Sequence, residues 1–200
     1  MNRHLSAGAG PEQPAVSFDS EPLILVDDAD REIGYLGKLA CHQGQGLLHR
    51  AFSLFIFNDR DELLLQQRSG TKRLWPLFWS NSCCSHPRRG ETMSTATHRR
   101  LHEELGMKSS LQFLFKFQYQ AQFDATTAEH ELCYVYVGRA TGPVRANRNE
   151  IADWRWVRPE QLEAEIAAQG AARFTPWLML EWQRIRQRHG GVASLLGAIA

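Results

Sequence analysis

The stretch SNSCCSHPRRGE, Ser80 to Glu91, places two adjacent thiols and an imidazole directly ahead of a charged segment. Adjacent cysteines make poor structural staples, whereas a thiol with a histidine two residues on has the groups for proton transfer or attack on an electrophile. Downstream, Arg99 and Arg100 stand about one helical turn before the adjacent carboxylates Glu103 and Glu104. On an ordinary helix that pattern is a solvated face laced by ion pairs, and a free cysteine is most often a small buried hydrophobe. A lone histidine is likewise more often hydrogen-bonded or solvated than a ligand. Such residues become a site only if the surrounding elements bring them together.

The chain has 200 residues, 43% hydrophobic and 22% charged, enough for one globular domain around a single core. Its net charge of +1 gives no global attraction for nucleic acid or an anionic membrane, so anion binding must come from local clusters. The sequence contains no apolar run of membrane-spanning length and no signal-peptide core near its start, so a cytoplasmic location is expected. Cys41, Cys83, Cys84 and Cys133 are then expected as free thiols. Residues 1–20, rich in Gly, Pro, Ser and Ala, read as a disordered or loosely attached leader before one domain over 21–200.

Within that domain, LILVDDADREIGYLGK reads as a strand, an acidic turn and a second extended piece. HRAFSLFIFNDRDELLLQQRS reads as two strands about an Asn-Asp-Arg-Asp turn. Glu91 to Leu105 is compatible with a helix that Gly106 ends. The alternating aromatics of LQFLFKFQYQAQF and the run HELCYVYVGRA give two strands, and DWRWV a short one. PEQLEAEIAAQ and PWLMLEWQRIRQRHG give two closing helices. This order implies an α+β domain, a mixed β-sheet layered with helices.

Matched from its C-terminal end, SHPRRGETMSTATHRRLHEELGM resembles the Nudix box, with Glu91, Arg99, Leu101, Glu103, Glu104, Gly106 and Met107 in the pattern's positions. Two positions depart. Ser85 stands where the pattern has Gly, and Arg100 where it has the Glu that, in Nudix hydrolases, helps hold the cations that activate water. The preceding WPLFWSNSCCSHP resembles the active-site cysteine motif of type I isopentenyl diphosphate isomerases, Nudix-fold enzymes that are not hydrolases. Matches to that family continue with His42 and His49 in CHQGQGLLHRAFS, and Arg68 and Lys72 in QQRSGTKRLWP. Tyr119 in FKFQYQA, Glu129 and Glu131 in AEHELCYVY, and Trp177 in TPWLML complete a series spanning roughly residues 22–185.

The resemblance implies a Nudix-type fold and the interconversion of isopentenyl and dimethylallyl diphosphate, by protonation and deprotonation through a tertiary carbocation. It implies that Cys84 and Glu131 exchange the protons, assisted by Tyr119, and that Cys83 is packing. It also implies a tightly bound divalent metal (Mn, Zn or Mg) on His42, His49, His86, Glu129 and Glu131, with a Mg ion arriving with substrate at Glu104. Lys38, Arg68, Lys72 and Arg100 are expected on the diphosphate, and Trp177 beside the carbocation.

Cys41 and Cys133 are expected as buried hydrophobes, and His4, His98, His102, His130 and His189 as solvated. The expected partner is a small prenyl diphosphate, for a monomer or weak homodimer that binds neither nucleic acid nor membrane. Two readings compete: a Nudix diphosphohydrolase of a prenyl or nucleoside diphosphate, and a non-catalytic metal-stabilised module. Arg100 argues against hydrolysis, which would also leave Cys84, His86, Glu129 and Glu131 unexplained. Ser85 replaces the Gly common between Cys and His in bacterial isomerases; it is expected to be tolerated, with strain arising if the position needs positive φ.

Overall fold

The computed structural model describes residues 14–188 and 192–198. Pro22–Val26 (β1) and Glu32–Gly37 (β2) pair as an antiparallel hairpin across the acidic turn. The four-residue helix Lys38–Cys41 (α1) leads to the central strand His49–Phe57 (β3). β3 and Leu63–Arg68 (β4) share the register pair Phe57 and Leu63 and then diverge. Two short strands occupy the opening: Trp79–Ser80 (β5) pairs with β4, and Cys83–Ser85 (β6) pairs antiparallel with β3, setting Cys84 opposite Ser53. At two and three residues, β5 and β6 are too short to show a period in the sequence.

The helix Met93–Leu105 (α2) follows, then the long strands Leu111–Gln122 (β7) and Ala128–Arg139 (β8), then Ile151–Val157 (β9). Pro159–Gln169 (α3), Pro176–Arg188 (α4) and Val192–Ala198 (α5) close the chain. Among the described residues nine strands form one mixed sheet. Its spine is β3, antiparallel to β6 on one side and parallel to β8 on the other, with His49 opposite Glu131. Both faces of the spine are covered, so β3 is apolar from Ala51 to Phe57 apart from Ser53 and does not alternate. Phe55 and Phe57 pack with Leu178, Trp182 and Ile185 of α4, while Phe52, Leu54 and Ile56 pack with Ala96, Leu101 and Leu105 of α2. No helix among the described residues is long and apolar enough to cross a membrane.

Three local features refine the sequence expectations. The helix expected from Glu91 begins at Met93, because Thr92 caps it by accepting from Thr95 N at 3.1 Å and Glu91 turns back to pair with Arg99. A bulge in β7 between Phe113 and Phe115 breaks the aromatic alternation. Phe115, Phe117 and Tyr119 enter the core under α4, whereas Phe113 lies across the sheet against Tyr134 and Tyr136, 47% exposed. Ser85 is extended in β6 and is not among the residues with positive φ, so no backbone strain arises there. Most of the expected leader, residues 1–13, lies outside the described residues. Its remainder is tied to the domain, with Val16 O accepting from Arg100 at 2.6 Å and Asp19 paired with Arg73.

Gly106 ends α2 at φ 63, its N–H donating to His102 O at 2.8 Å, and a Cβ added there would lie 2.8 Å from Arg145 Cβ. Gly106→Ala is therefore expected to lower the unfolding free energy by roughly 2 kcal/mol, from left-handed strain plus the displaced Arg145. A urea titration in which the variant keeps the parental midpoint would contradict this.

Candidate active site

The register of β3 against β8 brings two chain segments about 80 residues apart into one buried cluster. His49 from β3, Glu129 and Glu131 from β8, His42 just after α1 and His86 just after β6 are each at most 8% exposed. The imidazole centroids of His42, His49 and His86 lie 5.0–6.0 Å apart. Backbone carbonyls only accept, so His42 Nδ1 donates to Lys38 O at 2.6 Å and His49 Nδ1 to Leu47 O at 2.7 Å. Each of these rings then presents Nε2 to the cluster, where His49 Nε2 meets His86 Nε2 at 3.2 Å. His42 Nε2 lies 2.8 Å from Glu129, and His86 Nε2 3.2 Å from Glu131 Oε1.

Three imidazole nitrogens and two carboxylates converge here, with two sets of three donors each lying within 4.8 Å of one another. Buried nitrogens whose outer N–H is pinned to a carbonyl, together with oxygen donors, fit a divalent cation. The charge states of His49, His86 and Glu129 agree with this. Burial, helped by the neighbouring imidazoles, holds His49 down to about 4 and His86 well below the ordinary range, leaving both rings neutral. Burial alone would raise Glu129, but His42 outweighs it and keeps that carboxylate ionised.

A second group bears protons and lines the same cavity of about 620 Å³. Cys84 is half-buried, and burial pushes its thiol up to about 12. Burial, then the Glu129 charge, raises Glu131 well above the carboxylate range. Tyr119 donates to Glu131 Oε2 at 2.7 Å, and burial followed by the Glu131 charge raises its phenol too. Cys84 and Glu131 are thus a thiol and a carboxyl carried on β6 and β8, with β3 between them. Trp177 stands beside them, its ring 6.5 Å from Tyr119 and 5.3 Å edge-on from Trp75.

The other end of the cavity is cationic. Arg100, 2% exposed, reaches Glu104 at 2.5 Å and Glu150 at 3.4 Å, and Lys72 also pairs with Glu150. Burial would lower the Arg100 guanidinium, but Glu104 and Glu150 outweigh it and raise it. Lys38 bonds Ser17 Oγ at 2.7 Å; burial, then Lys72 and Arg100, bring it down to about 8. Arg68 donates to Leu74 O and Trp75 O, and its guanidinium lies 5.1 Å from the Trp177 centroid. Those bonds hold a loop in which Trp75 and Leu77 adopt the left-handed values φ 46 and φ 63, a strain stored next to Leu74 of the cavity lining.

The structure places most of the sequence-derived residues on the lining of this cavity; His49 and Glu104 are buried next to it without lining it. Cys83 faces away, buried with Leu101 under α2, and Glu104 is paired to Arg100 at the cationic end, apart from the histidines. Cys41 and Cys133 are buried; His98 and His102 are exposed, and His130 is half-buried against Gln118. His4 and His189 lie outside the described residues. Sequence reasoning missed Glu150, whose position just ahead of β9 was its one signal. It also missed Glu181 on α4, fully buried behind the site, which accepts from Cys133 Sγ at 3.4 Å.

The NUDIX domain family matches residues 47–178. An isopentenyl-diphosphate Delta-isomerase 1 of Photorhabdus laumondii is 40% identical over 171 residues, covering 84% of this chain and 97% of that one. An isopentenyl-diphosphate Delta-isomerase of Serratia proteamaculans is 44% identical over 159 residues, covering 80% and 88%. Among solved structures, a Deinococcus radiodurans protein matches with TM-score 0.64 at 26% identity, covering 80% of this chain and 96% of that one. A MutT protein from Methanosarcina mazei shares the fold at TM-score 0.57 and 16% identity, covering 72% and 95%.

Two measurements follow from the buried groups. Chelator-stripped protein titrated with Mn²⁺ by calorimetry should bind one equivalent at the histidine cluster, and His49→Ala should weaken that binding by at least roughly 100-fold. Undiminished affinity in the variant would put the cation elsewhere. Burial raises Glu181 to about 8, above an ordinary carboxyl. The folded state therefore keeps a proton that the unfolded chain releases, and stability should fall as pH rises from about 5 to 8. Glu181→Gln should flatten that slope in thermal melts; an unchanged slope would mean that Glu181 ionises normally when folded.

Proposed function

The chain belongs to the isopentenyl-diphosphate Delta-isomerase family within the NUDIX domain proteins, and from that premise we propose how its residues divide the chemistry. The reaction interconverts isopentenyl and dimethylallyl diphosphate. The observation that carries the division is one cavity with a thiol and a carboxyl, Cys84 and Glu131, near an indole, and a cationic cluster around Arg100 at its other end.

In the forward direction a proton adds to C4 of the alkene, the positive charge forms at C3, and a proton leaves C2. The one of Cys84 and Glu131 that is protonated gives the first proton, and the other, entering the step as its conjugate base, takes the second. Reversal exchanges the roles, so each group is an acid in one direction and a base in the other. Mounting them on β6 and β8, with rigid β3 between, keeps the two transfers separate. The hydroxyl of Tyr119 orients Glu131 and shares its proton network. An alkene is a very weak base and its cation is captured by water, so a dry site is required; the cluster's burial supplies one. The ring faces of Trp177 and Tyr119 offer their quadrupoles to the charge at C3.

The diphosphate engages Lys38, Arg68, Lys72 and Arg100, displacing contacts that these cations make to Ser17, Val16 and Glu150. A Mn, Zn or Mg ion would be held by His42, His49, His86, Glu129 and Glu131, where its fixed positive charge would set the position and acidity of Glu131, and Mg entering with the diphosphate would be held by Glu104. Arg100 occupies the position where a Nudix hydrolase pattern has a metal-binding Glu, which favours diphosphate binding over water activation. In this reading residues 21–200 act as one domain, in the cytoplasm, as a monomer or weak homodimer. The net charge of +1 supports a small-molecule substrate over nucleic acid or membrane.

With enzyme and Mg²⁺ in deuterated water, proton NMR should show isopentenyl diphosphate becoming dimethylallyl diphosphate with deuterium in the new methyl group. Cys84→Ala and Glu131→Gln should each reduce kcat by about 10²–10⁴-fold with an unchanged circular dichroism spectrum. An active Cys84→Ala enzyme would remove the thiol from the mechanism, and release of inorganic phosphate would indicate hydrolysis.

A further inference from the structure

Ser80 does not line the cavity, yet its hydroxyl lies between two groups that do. It is fully buried at the end of β5. Four polar atoms surround its Oγ: Asn81 Oδ1 at 2.9 Å, Trp177 Nε1 at 2.9 Å, Thr175 Oγ1 at 3.0 Å and Cys84 Sγ at 3.9 Å. Trp177 and Cys84 come from distant parts of the chain, and the backbone brings them together. Trp79 N donates to Arg173 O at 2.9 Å and Thr175 N to Trp79 O at 3.0 Å, zipping the segment ahead of α4 onto β5.

A serine hydroxyl has one proton and two lone pairs, so four neighbours cannot all be served at once. The indole N–H only donates and fills one lone pair. Asn81 Nδ2 donates to Leu54 O and Cys83 O, which fixes the amide so that Oδ1 faces Ser80 and takes its proton. One lone pair remains for two donors, the Thr175 hydroxyl and the Cys84 thiol. The Thr175 contact is 0.9 Å shorter and involves the stronger donor, so it wins. The Cys84 proton is thereby left free for the cavity.

We propose that Ser80 is a positioning residue that couples the Cys84 sulphur to the Trp177 indole and directs the Cys84 proton toward the substrate. The inference rests on the proton-exchange role given to Cys84 above. In either direction of the reaction Cys84 is a thiolate for part of the cycle: its proton goes to or comes from substrate carbon, and sulphur keeps the electron pair. During that part Ser80 turns its proton from Asn81 to the sulphur, and the Trp177 bond holds the oxygen in place.

The test uses metal-loaded enzyme with Mg²⁺ and isopentenyl diphosphate, and ¹⁵N-labelled protein in which the Trp177 indole resonance is identified by its loss in Trp177→Phe. Ser80→Ala should lower kcat by about 10–100-fold with KM within about twofold, since the diphosphate contacts are untouched. The Trp177 indole proton should move upfield. Ser80→Thr, which keeps the hydroxyl, should return both readouts toward the parent. Parental kcat in Ser80→Ala overturns the proposal, as does a loss of kcat that Ser80→Thr leaves uncorrected after restoring the resonance. If Ser80→Ala does not fold, the near-isosteric Thr175→Val frees the contested lone pair for the Cys84 thiol and should lower kcat by about tenfold; parental kcat there overturns the proposal instead. A parent enzyme without isomerase activity would refute the function, while the indole resonance would still report the Ser80 contact.

Discussion

The parallel pairing of β3 with β8, in the register that sets His49 opposite Glu131, is the constraint on which the site depends. Strand side chains alternate between faces, so this register directs His49, Glu129 and Glu131 to one side of the sheet, toward Tyr119. A slip of one residue would turn these groups toward the face covered by α2 and bring apolar neighbours into the cavity. Because β3 is buried on both faces, the same pairing also organises the two cores. Folding stability and site geometry are therefore aspects of one strand pairing.

The buried charges coexist because each has a partner or has given up its charge. His42 keeps Glu129 an anion, while burial and that neighbouring charge push Glu131 well above the carboxylate range. Two carboxylates in one pocket thus take different proton states, a separation that suits one to holding charge and the other to moving a proton. At the cationic end Glu150 answers both Lys72 and Arg100. These cations are therefore already oriented by their partners on the cavity wall.

The NUDIX frame is also used by proteins such as the Methanosarcina MutT protein, whose resemblance here extends to fold alone. What distinguishes this chain is how it fills the frame. The divergence of β3 and β4 leaves room for β6, whose three residues present Cys84 on the Ser53 side of the sheet and Cys83 to the core under α2. On α2, Arg100 and Glu104 form a buried pair one turn apart, so the helix that carries metal-binding carboxylates in hydrolases presents a cation to the cavity.

The family's reaction and much of the frame were legible in the linear sequence. The spacing within SHPRRGETMSTATHRRLHEELGM, the ordered histidines and the Glu-X-Glu of β8 are linear patterns, and they named nearly every residue that lines the cavity's reacting end. Long strands and helices were legible because a period needs length to show, which is why β5, β6 and α5 escaped notice. Tertiary structure alone decided which acid is neutral, since burial and neighbouring charge set that balance. It alone removed Phe113 from the core through a bulge, paired Glu150 with Lys72 and Arg100, and set Ser80 between Cys84 and Trp177. Each of those outcomes depends on atoms brought together from distant segments, a relation that residue spacing along the chain does not contain.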